Sequence, residues 1–450
     1  MMNIAVVGAG AAGLAAATRA KRVNPQARVI VFEAGREFSR ATCSLPYYLS
    51  GEISNPERLQ GVSLDQLQDR GVELRLETPA LEIDPSQRVL VTTAERFSYQ
   101  KLIVATGSRE KDTASLVAAP NHPRIWRLRT IADAMEIKQQ IQSGRIRRVA
   151  VVGGGYVGVE AVEAFLTQGL QVALFHRQNS TMRLQGKPAQ TVIRTLGRRG
   201  AELFLNSEVQ HIECNDEGGI LSYLKEEGAG QYAFDAVLLS IGMEPETGLL
   251  RNAGARIGRT GAVQVSARGE TSLSNIYACG DGVELPSNGG GPGRWVPLAT
   301  TAARVGRICG ENAAGGSRRL GFLAGSLAVR FFHSEIAMVG APDDWNSADS
   351  LEFHWGSENS DFPKRAAGVG LLFLEPRSQK LLGLQVVGPQ ASSLVDLFSL
   401  AMDQEMTLSQ FQEQDFCYNP PLKGMWHPLF LAARAAEKRD VEISTGRYGR

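Results

Sequence analysis

The sequence predicts an α/β protein in which one strand–glycine loop–helix–strand unit occurs twice, followed by an α+β segment of different character. Three observations carry this reading. Residues 6–13 (VVGAGAAG) end a short apolar strand, Asn3–Val7, and open an alanine-rich helix over residues 11–20. Residues 151–160 (VVGGGYVGVE) repeat the pattern after Arg148–Val152. From residue 316 onward no such loop recurs, and strand-like stretches at 327–332, Gly368–Leu374 and 382–387 precede an apolar helix at 392–402.

A chain of 450 residues is too long for one core and should divide into two or three domains. The formal charge is +1 with no basic tail or block, which argues against nucleic acid and anionic membranes as partners. No apolar run is long enough to span a bilayer, and the first ten residues enter a strand at once, so no signal peptide is expected. The five cysteines (Cys43, Cys214, Cys279, Cys309 and Cys417) are few, odd in number and widely spread, which fits a reduced, cytoplasmic setting better than a disulfide scaffold. No metal is expected.

Each glycine of the first loop has a mechanical reason. Gly8 makes a tight turn, Gly10 lets the backbone approach a pyrophosphate, and Gly13 lets helix and strand pack closely. The amides at the start of the following helix then face the phosphates. A second strand, Arg28–Phe32, ends on Glu33, about 20 residues past the last glycine, where an acid binds a ribose hydroxyl. Residues 52–75 read as helical with polar breaks and 81–93 as paired strands. Residues 102–107 (LIVATG) form another strand, closing on Thr106, Gly107 and Ser108. The stretch 111–124, with Pro120 and Pro123, reads as a loop at a domain boundary.

The second copy runs through Gly153, Gly154 and Gly155, a helix containing Gly158, and the strand Gln171–Phe175. A repeated βαβ unit means two dinucleotide sites. Where the first copy ends its second strand on Glu33, this one ends on His176 and Arg177, with Arg183 close behind. A cation there suits an adenosine carrying a 2′-phosphate, so NADPH is expected. Farther on, residues 235–241 form a strand running into GMEP, and residues 271–281 end in Gly280-Asp281, which sets amides and a carboxylate at a ligand edge.

Between the two loops stands a single thiol, Cys43, in residues 42–51 (TCSLPYYLSG). One thiol between two dinucleotide sites suggests a relay from nicotinamide through flavin to sulfur. One protein thiol suffices if the second sulfur belongs to the substrate, provided Cys43 is a thiolate. Leu45–Leu49 is expected to open a helix with Pro46 in its first turn.

In this order, GAGAAG with Glu33, ATG at residues 105–107, GGGYVGVE, GMEP and YACGD resemble the markers of the pyridine nucleotide-disulfide oxidoreductases. The resemblance implies two Rossmann-like dinucleotide-binding domains plus a C-terminal α+β dimerisation domain. Residues 1–112 and 243–315 would form a discontinuous FAD domain, 113–242 the NAD(P)H domain, and 316–450 the dimerisation domain. Gly8, Gly10, Gly13, Glu33, Thr106, Gly107, Gly280 and Asp281 would hold FAD. Gly153, Gly155, Gly158, Arg177 and Arg183 would hold NADPH, with NADH possible. Tyr156 would gate the nicotinamide face of the flavin, and Glu160 would lie near the nicotinamide.

The surroundings of Cys43 narrow the resemblance. Tyr48 stands where CxxxxC reductases carry their second cysteine, and Pro46 where CxxC reductases do. A single cysteine before LPYY is similar to the coenzyme A-disulfide reductase and NADH oxidase/peroxidase branch. Ala11 and Ala12 replace the histidine of its peroxidases and water-forming oxidases. Tyr418, before Asn419-Pro420-Pro421, resembles the branch tyrosine that reaches the partner subunit's active site. Three departures are Ser44 after the cysteine, Phe362-Pro363 in place of a Tyr-Pro-Gly segment, and His427 where an acid is expected. Arg19 and Arg22 follow the first loop at helical spacing and would meet coenzyme A phosphates.

The expectation is a homodimeric FAD-dependent NADPH:disulfide oxidoreductase acting through Cys43 and Tyr418 on a low-molecular-weight disulfide, persulfide or polysulfide. The alternatives are an NAD(P)H oxidase reducing dioxygen and a flavin-bound redox sensor with little turnover.

Overall fold

The computed structural model describes residues 2–287, 290–340, 348–356, 367–418 and 426–434. The chain divides into two compact units. One comprises Met1–Thr113, Arg127–Gln142 and Ile241–Leu323, and the other Ala114–Trp126, Ser143–Ser240 and Ala324–Arg450. In chain order, the helices used below are α1 (Ala11–Val23), α2 (Leu45–Leu49), α3 (Leu64–Asp69), α4 (Ile131–Gln142), α5 (Tyr156–Thr167), α6 (Gly186–Arg198), α7 (Gly248–Asn252), α8 (Ala299–Ala313) and α9 (Ala391–Asp403).

The first unit is built on a five-stranded parallel sheet in the order Ile276–Ala278, Lys101–Val104, Asn3–Val7, Arg28–Phe32, Val72–Arg75. Its central strands read as unbroken apolar runs because both faces are covered. α1 is alanine-rich for a packing reason. Gly306 and Gly310 of α8 lie against the Ala12 and Ala16 carbonyls, where any Cβ would collide with backbone. Small residues four apart on both helices let the two backbones approach closely. Gly306→Val would force them apart.

One expectation fails in this unit. Residues 52–75 are not helical throughout. α3 starts at a Ser63/Gln66 capping box and stops at Gly71, whose φ is +71°. Val72–Arg75 then alternates apolar and polar residues and pairs in parallel with Arg28–Phe32. A period of two, not 3.6, governs that stretch.

The second unit repeats the plan, with parallel strands in the order Glu202–Phe204, Gln171–Phe175, Arg148–Val152, Ala236–Leu239, Ile125–Trp126. A three-stranded antiparallel meander, Glu208–Asn215, Gly218–Lys225 and Gly228–Phe234, adds Tyr223 and Tyr232 to an aromatic cluster with Phe175 and Phe204. The same unit carries a five-stranded antiparallel sheet ordered Leu327–Phe331, Ser334–Val339, Leu381–Gly388, Gly368–Leu374, Asp349–Trp355. Gly368–Leu374 is buried at all seven positions, and both α6 and α9 pack on this sheet. Among the described residues, no helix is long and apolar enough to cross a membrane.

Candidate active site

The first glycine loop separates two kinds of glycine. A Cβ on Gly8, at φ +98°, would run into the Ala105 carbonyl, and one on Gly13 into the Gly8 carbonyl. A Cβ on Gly10 would meet no protein atom within 4 Å. Gly8 and Gly13 are therefore required by the protein's own packing, whereas Gly10, the N-cap of α1, faces open space. No side chain caps α1 and no acid sits in its first turn, so its leading amides suit an anion. Glu33 closes the loop: Oε2 accepts the Ala9 amide at 2.7 Å and Oε1 the Gly35 amide at 3.0 Å. This set of donors and open backbone fits the diphosphate of FAD.

Asp281 lies at the C-terminal end of the adjoining strand Ile276–Ala278. Ser108 Oγ donates to its carboxylate at 3.4 Å, and Trp295 Nε1 donates to its carbonyl at 2.7 Å. Burial pushes the Asp281 carboxyl upward, opposed by Ser108 and by the Arg129 guanidinium. Arg129 itself is held by the Ser108 carbonyl, and burial lowers its pKa. Thr106 Oγ1 donates to the Glu246 carbonyl at 2.9 Å, and the Gly107 carbonyl accepts the Glu246 amide at 2.9 Å. Met243–Pro245 thereby runs antiparallel to Ser108–Glu110. Arg129 was not singled out in the sequence, and Ser108 only as the close of a strand, because only the fold joins them to Asp281.

The Cys43 loop is tied to the first glycine loop. The Ser39 amide donates to the Ala9 carbonyl at 2.9 Å, Ala41 to Leu59 at 2.7 Å and Gly61 to Ser39 at 2.8 Å. Cys43 is exposed on a 3₁₀ turn, Thr42–Ser44, that runs directly into α2, with Pro46 in its first turn. Tyr48 is buried. On α1, Arg19 Nε and Nη2 both donate to Glu311 Oε2, at 2.9 and 2.6 Å, whereas Arg22 is exposed.

In the second unit the loop geometry recurs. Gly153 has φ +111°, a Cβ on Gly158 would strike the Gly153 carbonyl, and one on Gly155 would meet nothing within 4 Å. His176 takes a role that the sequence did not assign to it. Its Nδ1 accepts the Gly154 amide at 3.0 Å, and burial, then Arg177, lowers its pKa. His176 is thus a neutral acceptor, and the cations that remain are Arg177 and Arg183, both exposed. Arg183, with Ser180, Gln185 and Asn206, lines an open cavity of about 540 Å³. Its turn is strained, with φ 57° at Met182 and 58° at Arg183. Buried Gln385 pins that turn, accepting the Gln185 amide at 2.8 Å and donating to the Arg183 carbonyl at 3.2 Å.

On α5, burial raises the Tyr156 pKa, and the hydroxyl lies 3.9 Å from Met338 Sδ. Burial, then Glu163, pushes Glu160 up to about 7, with Arg330 opposing. Glu163 Oε2 accepts the Phe332 amide at 2.8 Å, and its Oε1 lies 3.8 Å from Arg330. Tyr418 belongs to this second unit and is 52% exposed, beside exposed Cys417. His427 is buried, its ring stacked on Phe416 at 4.2 Å. Residues 362–363 and 419–421 lie outside the described residues. Among the described residues no cluster of His, Cys, Asp and Glu could hold a metal.

Residues 2–306 match the family profile of the pyridine nucleotide-disulphide oxidoreductases, and residues 327–429 match that family's dimerisation domain. The chain is 29% identical to an NAD(P)H sulfur oxidoreductase (CoA-dependent) of Pyrococcus abyssi, over 96% of this chain and 97% of that one. It is 28% identical to a coenzyme A disulfide reductase of Staphylococcus aureus, over 96% and 98%. A solved NAD-dependent persulfide reductase from A. fulgidus superposes with a TM-score of 0.91 at 26% identity, covering 98% of this chain and 84% of that one. The chain belongs to the pyridine nucleotide-disulphide oxidoreductases, a family that binds FAD and NAD(P)H.

Proposed function

We propose that this protein is an FAD-dependent NADPH:disulfide oxidoreductase that reduces a low-molecular-weight disulfide, persulfide or polysulfide through a mixed disulfide on Cys43. The observation that carries the reading is the tether between the exposed Cys43 loop and the first glycine loop, made by the Ser39 amide and the Ala9 carbonyl. Gly8, Gly10, Gly13, Glu33, Thr106, Gly107, Gly280 and Asp281 are assigned to FAD. Gly153, Gly155, Gly158, Tyr156, Glu160, Arg177 and Arg183 are assigned to NADPH. When bound, FAD accepts hydride from the nicotinamide and supplies the electron pair that reduces sulfur.

The chain's own contribution is nucleophilic. The Cys43 thiolate attacks one substrate sulfur, so that the Cys43–substrate S–S bond forms as the substrate's S–S bond breaks. The departing thiolate takes a proton. An electron pair delivered to the mixed disulfide then breaks it, restoring the Cys43 thiolate and releasing the substrate's other half as a thiolate that takes a proton from solvent. Tyr418, acting across a homodimer, is assigned as hydrogen-bond donor to the leaving sulfur. Its exposure and the match to a dimerisation domain support this. Coenzyme A disulfide is a substrate candidate because relatives bear that name. Arg22 is exposed to meet its phosphates, whereas Arg19 would have to leave Glu311. The domain limits proposed are 1–112 with 243–315, 113–242 and 316–450, and the setting is cytoplasmic.

The test is NADPH oxidation without oxygen, with and without coenzyme A disulfide or polysulfide, followed together with the visible spectrum. A flavin spectrum and acceptor-dependent oxidation are expected. Oxidation only with dioxygen would establish an oxidase. None with either acceptor would leave a redox sensor.

A further inference from the structure

One helix grips the Cys43 loop at both ends. Upstream, Glu37 caps the start of α4, with Oε2 accepting the Ile131 amide at 3.1 Å and Oε1 the Ala132 amide at 3.0 Å. Downstream, Lys138 Nζ donates to the Tyr48 carbonyl at 2.9 Å and stands 3.9 Å from the centroid of the Tyr48 ring. Glu37 lies six residues before Cys43 and Tyr48 five after.

Lys138 is an unusual residue for its place. It sits one turn past buried Ala134 and next to buried Ile137, on the stripe by which α4 packs inward. Burial lowers its pKa. Its ammonium is only partly buried, and it is held by a carbonyl in the last turn of α2 and an aromatic face. A cation also suits the C-terminal end of a helix. In sequence α4 is flanked on both sides by segments of the other unit, Ala114–Trp126 and Ser143–Ser240.

We propose that α4 braces the Cys43 loop and that Lys138 is a positioning residue for the thiol, an inference that rests on the reading of Cys43 as the redox centre. Without Lys138 the brace keeps its Glu37 end and the packing of α2 on α4 but loses its polar tie to α2, so α2 shifts and the thiol moves relative to the first glycine loop.

The experiment uses FAD-loaded Lys138→Met and Lys138→Arg. Cys43 alkylation by iodoacetamide is timed by peptide mass mapping, because Cys417 is also exposed. Lys138→Met should keep its FAD content and its rate of flavin reduction by NADPH, while Cys43 alkylation slows about fivefold toward an unactivated thiol. Its kcat for disulfide reduction should fall about tenfold with KM for NADPH unchanged. Lys138→Arg, which keeps the cation and the donor, should restore both to within about twofold. A Lys138→Met enzyme equal to wild type in alkylation and kcat overturns the proposal. So does one that loses FAD, or a Lys138→Arg that restores nothing, since either outcome leaves only a role in folding. Alkylation does not depend on turnover. If Cys43→Ser still reduces disulfides, the functional reading fails while the alkylation rates still decide the brace.

Discussion

His176 Nδ1 accepts the Gly154 amide at 3.0 Å, the same place in the second glycine loop that Glu33 Oε2 takes at Ala9 in the first, at 2.7 Å. Each loop is closed by an acceptor at the end of its second strand, but one acceptor is an anion and the other a neutral ring. A carboxylate there would repel a 2′-phosphate, and an uncharged imidazole does not. NADPH should therefore be preferred over NADH in kcat/KM. Charge-assisted hydrogen bonds from Arg177 and Arg183 contribute roughly 1.5–3 kcal/mol each, or about ten- to hundredfold in affinity. Arg177→Ala with Arg183→Ala should collapse the preference through the KM for NADPH alone. His176→Glu, which keeps an acceptor and adds charge, should favour NADH. Steady-state kinetics with both cofactors decides this, and a wild type that prefers NADH would make the arginines surface residues only.

Gly10 supplies a second prediction. A Cβ there meets no protein atom, so Gly10→Val should fold and yet purify with little flavin, since the side chain fills the approach to the pyrophosphate. Full flavin occupancy in this variant, read from its absorbance ratio, would remove the assignment.

Cys43→Ser should abolish disulfide reduction while NADPH still bleaches the flavin. Stopped-flow spectroscopy under nitrogen separates the two half-reactions. Surviving disulfide turnover would rule out the mixed disulfide.

Glu160 predicts a pH-dependent stability. Burial raises its carboxyl from 4.5 to about 7 in the folded chain. Between those values the folded form holds a proton that the unfolded chain releases, so this group's contribution to stability falls as pH rises and levels off above about 7. The loss amounts to roughly 2–3 kcal/mol. Glu160→Gln should accordingly raise the urea midpoint near pH 8 and leave it unchanged near pH 4. Equal midpoints at the higher pH would show that Glu160 is ionised at no cost.

Tyr418→Phe should slow turnover at constant FAD content, and the enzyme should sediment as a dimer. A fully active monomer would exclude a tyrosine acting across subunits.

Much of this was legible in the chain itself. The strands Arg148–Val152 and Gln171–Phe175 fall where the apolar runs put them, because a parallel strand buried on both faces leaves an unbroken signature. The glycine loops were equally plain, since Gly8, Gly13 and Gly158 would each collide with backbone if given a side chain. What stayed hidden depends on distant segments meeting. Gln385 holds the Arg183 turn from 202 residues away, and Ser108, Arg129 and Asp281 come together only in the fold. His176 had no role in the sequence because its partner is a backbone amide, and no pattern of side chains records that. Val72–Arg75 passed for helix because four alternating residues are too few to overrule the polar stretch before them.

The burial of Gly368–Leu374 on both faces also limits how the molecule can be taken apart. α6, which belongs to the second nucleotide-type sheet in sequence, lies on the C-terminal sheet together with α9. A gene fragment opening at residue 324, the start of the last segment of the second unit, would encode that sheet with α6 stripped from it. Its apolar strands would be wetted and its product would precipitate. A fragment that keeps residues 143–240 as well retains the cover and should remain dispersed. The region matched as a dimerisation domain is thus a lodger in the second unit, and any attempt to graft it onto another protein must carry α6 along.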